Sequence, residues 1–269
     1  FPNTERITFL NILIEKLKIK EDNRKIGYIL QNSDITLRTI KKAADVSVAN
    51  PYHNFDHQLG VAEQAIKLAK AEDRNRSEIN LVGVIGLFHD AGFLVQKTSF
   101  PEIRSFWVAE RMLDSFDTRI VSTDHSLVLT MFRDYILATA YPSARTPQMR
   151  QDPLKCIIQD ADLAHLGQGP FYWVWASMGL LDEFNQVREE HVSPEYFIRN
   201  TQEKFVKSLR ELQEGRIFVS RGARTVFKDP MQSLKQIKKW PIEAINCAYA
   251  MRGVDIDIYQ FESKISRFL

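Results

Sequence analysis

The segment that most restricts the fold is residues 79–90, INLVGVIGLFHD, which is apolar on nearly every side of a helix. A surface helix of a globular protein carries one apolar stripe, whereas a helix that is apolar all round is buried. We therefore expect a central helix with other helices packed around it. This helix ends in a His-Asp pair, His89 and Asp90, just before Gly92.

Helical periodicity also dominates the rest of the chain, because apolar residues recur at spacings of three and four. The best strand signal is RIFVS at 216–220, with RTVF at 224–227 as a partner, and it allows one small β-hairpin near 216–227. We predict an all-α helical bundle formed by one domain, residues 1–269. The predicted helices cover 4–19, 54–72, 79–90, 102–114, 124–140, 152–164, 171–187, 194–213 and 230–250.

The composition excludes several classes of function. A net charge of +2 with interspersed signs gives no basic footprint of the kind that binds nucleic acid polymers. No apolar run approaches the ~18 residues that span a bilayer, and the N-terminus has no signal pattern. Cys156 and Cys247 are far apart and form neither a metal motif nor a disulfide framework. We expect a cytoplasmic protein with a small-molecule partner and no membrane contact, and a homo-oligomer stays open.

Four polar residues belong to three predicted helices with apolar surroundings: His57, His89, Asp90 and Asp160. A lone histidine at a helix end is usually a cap or a satisfied polar group. A buried carboxylate without a partner is costly, however, and a shared cation is the simplest explanation for two carboxylates near two imidazoles. This mixed nitrogen and oxygen shell suits manganese, iron or zinc, and magnesium with more water. The pattern therefore predicts a divalent metal site.

In these residues the chain resembles the HD superfamily of metal-dependent phosphohydrolases. The matching motifs are His57, LFHDAG at 87–92 and DADLAHLG at 160–167, with PEIRSFWVAERML and ILATA between them. The resemblance covers about residues 35–185. It implies an HD-domain bundle in which the four residues named above bind the catalytic metal.

The stretch YHNFDH at 52–57 is also similar to the signature of cyclic-nucleotide phosphodiesterases, which share this fold. This similarity implies that His53 is a proton donor one turn before the ligand His57. The phosphodiesterase signature usually continues with Ala-x-Asp-Val, whereas this chain has Gln58-Leu59-Gly60-Val61. The aspartate is absent, so the resemblance does not imply specificity for cyclic nucleotides.

The resemblance implies a reaction and a cofactor. The reaction is hydrolysis of a phosphomonoester or phosphodiester, nucleotide-like in character, by metal-activated water, with His53 and Asp90 in catalytic roles. The ligands suit manganese, magnesium, zinc, iron or nickel. One tightly bound ion is favoured, because His125 is the only histidine between Asp90 and Asp160. Two alternatives stay open: a non-catalytic metal-binding sensor module, and a diiron HD oxygenase.

Other residues are candidates for supporting roles. Asp162 follows Asp160 by two positions and points away from it on a helix, so we expect it to orient a ligand histidine rather than bind the metal. Glu102 either begins its helix or borders the metal site. Arg104 and Arg145 are candidates for contact with the phosphate.

The segment FYWVWASMGLLDEF at 171–184 carries a dense aromatic stripe. Core packing is the favoured interpretation, and stacking of one ring on a substrate base is the alternative. Within this helix Glu183 is expected to pair with an arginine. His165 either lines the site or caps a helix.

Overall fold

The computed structural model describes residues 23–93, 101–113, 125–140, 151–252, 254 and 256–269. The predicted helix 4–19 lies outside these residues. The helices up to residue 167 are α1 Asn23–Asn32, α2 Leu37–Val46, α3 Phe55–Ala71, α4 Arg76–Phe88, α5 Pro101–Leu113, α6 His125–Leu137, α7 Pro153–Asp162 and α8 Ala164–Gly167.

The remaining helices form the C-terminal part of the bundle. A π-helical turn, Phe197–Thr201, joins two of them. They are α9 Pro170–Gln186, α10 Pro194–Tyr196, α11 Gln202–Leu212, α12 Arg221–Val226, α13 Pro230–Ile237, α14 Ile242–Ala250 and α15 Ile258–Ile265. Across the described ranges the fold is all-α, as predicted, and no helix there has both the length and the apolar character needed to cross a bilayer.

Helix α4 is the central helix that the sequence predicts. Every residue from Ile79 to Phe88 is buried, and α4 packs against both α3 and α7. Gly86 lets α3 and α4 approach closely, because a Cβ at this position would lie 2.7 Å from the Cα of Ala62. This close packing brings the start of α3 next to the end of α4.

The turn after α4 is fixed by α5. A Cβ on Gly92 would lie 2.6 Å from the backbone carbonyl carbon of Arg104, so only glycine fits between the two segments. The Gly92 N–H donates to the hydroxyl of Ser105, which is fully buried. The His-Asp pair is therefore held between α4 and α5.

Helix α7 begins as its sequence predicts. Pro153 occupies the first helical turn, and the Asp152 carboxylate accepts the N–H of Leu154 at 2.9 Å. The predicted helix 230–250 is instead two helices, α13 and α14. Pro241 separates them, because it lacks the N–H that would continue α13 and it caps the start of α14.

The predicted β-hairpin near 216–227 is wrong. The Ser220 hydroxyl accepts the N–H of Ala223 and begins α12, so the second predicted strand is a helix. Ile217 and Phe218 are buried in the core cluster rather than paired with a strand. Their apolar character, which resembled a strand, reflects burial in an irregular segment.

Candidate metal centre

Three helix ends converge at one point of the bundle. His57 lies in the first turn of α3, His89 and Asp90 follow the last residue of α4, and Asp162 is the last residue of α7. Each of the four side chains offers one ligand atom, and these atoms lie within 4.8 Å of one another. We call these four residues the metal group, since they could hold a divalent metal ion.

The distances within the metal group are short. The Oδ2 atom of Asp90 lies 3.3 Å from Nε2 of His57 and 3.0 Å from Nε2 of His89. The Oδ1 atom of Asp162 lies 3.3 Å and 3.5 Å from the same two nitrogens. Two imidazoles and two carboxylates thus face a common space.

The hydrogen bonds of the histidines fit a metal. The Nδ1 atom of His89 lies 2.8 Å from the carbonyl oxygen of Gly86. A carbonyl only accepts, so Nδ1 carries the proton and Nε2 of the neutral ring has a free lone pair. The Nε2 atoms of His57 and His89 are both buried and have no hydrogen-bond partner, although carboxylate oxygens lie beside them. A metal-ligating histidine requires a free ring nitrogen of this kind. In His89 the hydrogen bond from Nδ1 to Gly86 also fixes the tautomer, as second hydrogen bonds of metal-ligating histidines do.

Charges within the group reinforce one another. Burial alone would lower the pKa of His57, but the carboxylates of Asp162 and Asp90 outweigh it and raise the pKa. Burial alone would also lower the pKa of His89, but the carboxylates of Asp90 and Asp162 raise it. Burial would raise the pKa of Asp90 and of Asp162, yet the neighbouring imidazoles lower both. The two carboxyl groups are therefore ionised and ready to bind a cation.

Asp160 is not part of this group, which corrects the sequence-based assignment. It is fully buried, but its carboxylate accepts the N–H groups of Val219, at 3.0 and 3.2 Å, and of Ser220, at 2.6 Å. These donors lie just before α12. Asp160 therefore ties α7 to the C-terminal part of the bundle.

Asp162 takes the place that was assigned to Asp160. The expectation that the two aspartates point apart agrees with their contacts, but Asp162 rather than Asp160 faces His57 and His89. Asp162 ends α7, where its carboxylate reaches the ends of α3 and α4. Nothing in the spacing of the two residues distinguishes these directions, because both follow the same apolar run.

A second histidine and carboxylate pair lies beside the metal group. The Nδ1 atom of His53 is 2.5 Å from Oε2 of Glu183, and Oε1 of Glu183 accepts the N–H groups of Tyr52 and His53. One face of the His53 ring stacks on Phe93, with 3.9 Å between ring centroids. The His53 ring lies 5.6 Å from that of His57.

Glu183 is a site residue that the sequence interpretation missed, because it was expected to pair with an arginine. The glutamate is buried within a helix that is mostly aromatic and apolar, and this unusual placement is the signal that the sequence offers. Burial would raise the pKa of Glu183, but the hydrogen bond from His53 and the backbone N–H groups lower it. Glu183 is therefore ionised at neutral pH.

Tyr52 and His165 form a polar pair on another side of the metal group. The Tyr52 hydroxyl lies 3.1 Å from Nδ1 of His165, and its ring centroid is 4.6 Å from that of His57. Burial and the nearby His57 lower the pKa of His165 to about 4. Burial, followed by the charge of Asp162, raises the pKa of Tyr52 well above its ordinary value. Both side chains are thus uncharged at neutral pH.

The supporting residues named from the sequence are only partly placed. Burial raises the pKa of Glu102, and the carboxylates of Asp90 and Asp162 add to this effect, so Glu102 lies near the metal group. Arg104 is half-buried, and its Nη1 atom is buried without a hydrogen-bond partner. Arg145 lies outside the described residues.

Comparison with known proteins gives one family match. Residues 54–166 match the family model described as the HD domain. The match contains all four residues of the metal group, whereas His53 immediately precedes it and Glu183 follows it. A search of curated proteins found no significant match.

Proposed function

This chain is an HD superfamily protein with its HD domain at residues 54–166, and from this premise we propose that it is a metal-dependent phosphohydrolase. Its proposed substrate is a phosphomonoester or phosphodiester of a nucleotide-like small molecule. The observation that carries the proposal is the metal group, in which two buried, unpartnered imidazole nitrogens face two ionised carboxylates.

His57, His89, Asp90 and Asp162 would hold the ion. A divalent ion supplies Lewis-acid chemistry, which lowers the pKa of water and draws charge from a phosphoryl oxygen. The protein contributes rigid placement, because the four ligands stand at or just beyond the ends of three packed helices. The Gly86 carbonyl holds the proton of the neutral His89 ring on Nδ1, so Nε2 is the nitrogen that would bind the ion.

His53 is proposed to supply a proton to the leaving oxygen. The ionised carboxylate of Glu183 accepts the proton on Nδ1 of His53 and fixes the ring orientation. Phe93 covers one face of the ring, which further limits its rotation. Nε2 is then the atom that can donate to a phosphate ester, which is the task of a general acid.

Two residues of α5 would assist. The Nη1 atom of Arg104 is buried and has no hydrogen-bond partner within the described parts of the chain, so a phosphate oxygen is a suitable acceptor for it. Glu102, whose pKa is raised by burial, can share a proton with a water or a phosphate oxygen. Contact between Arg145 and the phosphate stays a prediction.

The test begins with metal removal and reloading. The protein is freed of metal with a chelator and reloaded separately with manganese, magnesium, zinc, iron or nickel. Each form is then assayed on a panel of phosphomonoesters and phosphodiesters. We expect about one ion per chain and turnover that depends on it. Ion binding without turnover on any ester would instead favour a sensor module, and two irons per chain would favour an oxygenase.

A further inference from the structure

A cavity of about 710 Å³ opens beside the metal group, and we call it the side cavity. His57 and Asp162 form part of its wall, so it reaches the proposed ion directly. Its volume falls in the range of small-molecule sites. His165, Tyr172, Trp175, Gln64 and Gln168 also line it.

His165 marks the side cavity as a binding site. The residue is only 8% exposed, and its buried Nε2 atom has no hydrogen-bond partner among the residues that the structure describes. Its other ring nitrogen is already engaged by the Tyr52 hydroxyl at 3.1 Å. A buried polar atom without a partner costs free energy, so Nε2 calls for a polar group in the cavity.

Aromatic rings form another part of the wall. Tyr172 and Trp175 lie edge to face, with 5.4 Å between ring centroids, and both are half-buried. Trp173, between them in the sequence, points into the core and is 1% exposed. The aromatic stripe of α9 is therefore divided between core and cavity, and its cavity side suits stacking with a flat group.

The polar residues of the wall favour an uncharged group. The two lining cations are already paired with lining carboxylates: Lys25 with Asp56 at 2.6 Å and Arg252 with Asp182 at 2.8 Å. Among the described lining residues, no cation is left over to neutralise a second phosphate. The amides of Gln64 and Gln168 can both donate and accept hydrogen bonds.

We propose that the side cavity binds the flat, uncharged heteroaromatic part of the substrate, such as a nucleobase, with the ring of Tyr172 against one of its faces, Trp175 packed edge to face beside that ring, and Nε2 of His165 at its polar edge. This inference rests on the proposed function for the position of the phosphate at the metal group. It adds a specificity site and assigns His165 and Tyr172 to substrate binding.

The test measures binding of nucleosides, which lack a phosphate, to the whole 269-residue chain by calorimetry, with and without bound metal. Adenosine, guanosine, cytidine and uridine are compared with ribose. We expect at least one nucleoside to bind at least ten-fold more tightly than ribose, with or without metal. Orotidine, which adds one carboxylate to uridine, should bind more weakly than uridine.

Two variants locate the site. His165→Phe removes the ring nitrogens at similar size, and Tyr172→Leu removes one stacking ring. Each should weaken nucleoside binding at least ten-fold without changing metal content. Tyr196→Leu, at an exposed tyrosine of α10, is the matched control and should bind normally. Tyr172→Leu serves as the decisive variant if His165→Phe fails to fold.

The outcomes separate this inference from the proposed function. Nucleoside binding that depends on Tyr172, in a protein with no hydrolase activity, would support the cavity and contradict the function. Metal-dependent hydrolysis with no preference for nucleosides over ribose would overturn the cavity assignment and leave the function intact. Equal binding by wild type and Tyr172→Leu would also overturn it.

Discussion

Two clusters of histidine and carboxylate lie side by side in this protein, and they differ in how their polar atoms are satisfied. In the pair of His53 and Glu183, the imidazole nitrogen faces a carboxylate oxygen at hydrogen-bonding distance, and two backbone N–H groups complete the carboxylate. In the metal group, the Nε2 atoms of His57 and His89 lie within 3.5 Å of carboxylates but form no hydrogen bond with them.

The difference shows what each cluster can do alone. The first pair is complete without any ligand, so it can hold His53 in one orientation at all times. The second has four donor atoms directed at a common space and is completed only by a cation. Residues of the same chemical type thus suit the proposed proton transfer in one place and the proposed metal binding in the other.

The largest expected effect is loss of the metal ion when Asp162 is substituted, but not when Asp160 is. Asp162→Asn removes one anionic ligand at unchanged size, so we expect loss of the ion and hydrolysis at background level. Metal analysis after dialysis and an activity assay measure this result. Asp160→Asn is the matched control, which should keep the ion but unfold more easily by about 1.5–3 kcal/mol, since it weakens hydrogen bonds to a charged group. The reverse pattern would restore Asp160 as the ligand.

A smaller loss is expected for His53→Asn. The substitution removes the proposed proton donor but none of the metal group, so kcat should fall roughly 10²–10⁴-fold with metal content unchanged. Rate and metal measurements on the same preparation provide the test. Substrates with an acidic leaving group, which need no proton, should lose less activity. Loss of metal in this variant would show that the two clusters are not independent.

Glu183→Gln should have a weaker effect than His53→Asn. The amide keeps the hydrogen bonds from backbone N–H groups but loses the charge facing His53, and such orienting partners typically contribute about 10–100-fold. The pKa of Glu183 is lower in the folded protein than in the unfolded chain. The pair therefore stabilises the fold at a pH above the pKa of the unfolded chain, and this stabilisation is lost as the pH falls through the pKa of the folded protein. Thermal unfolding of both proteins, followed from pH 7 down to pH 3, should therefore converge only at acidic pH.

The smallest effect is on stability. An ion that binds only the folded protein stabilises it by roughly 2.7 kcal/mol at a concentration of 100 times its Kd. We expect a higher Tm with metal and a lower Tm with chelator in the wild type. His53→Asn should respond in the same way, whereas Asp162→Asn should not respond. An equal response in Asp162→Asn would place the ion elsewhere.

The sequence predicts most helices, because apolar periodicity is a local property that the packed bundle preserves. It also predicts His57, His89 and Asp90 as neighbours, since each stands at the end of a strongly patterned helix. The hairpin at 216–227 failed for a physical reason: a buried irregular segment and a strand share the same apolar residues.

The remaining site residues depend on long-range contacts. Asp160 and Asp162 follow the same apolar run, and only the positions of Val219 and Ser220 decide which carboxylate turns away from the metal group. All of the matched residues 54–166 lie between His53 and Glu183 in the sequence, so this pairing is evident only in the packed structure. Spacing along the chain carries no such information.

Asp160 also determines how much of the chain must be present for helix α7 to keep its contacts. Its partners, Val219 and Ser220, lie well beyond Leu166, where the family match ends. A fragment trimmed to the matched residues would lose both of these backbone donors, and hydrogen bonds to a charged group contribute about 1.5–3 kcal/mol each. A shortened version made for expression or crystallisation must therefore extend through α12. The residue that sets this boundary is Asp160, which lies outside the metal group.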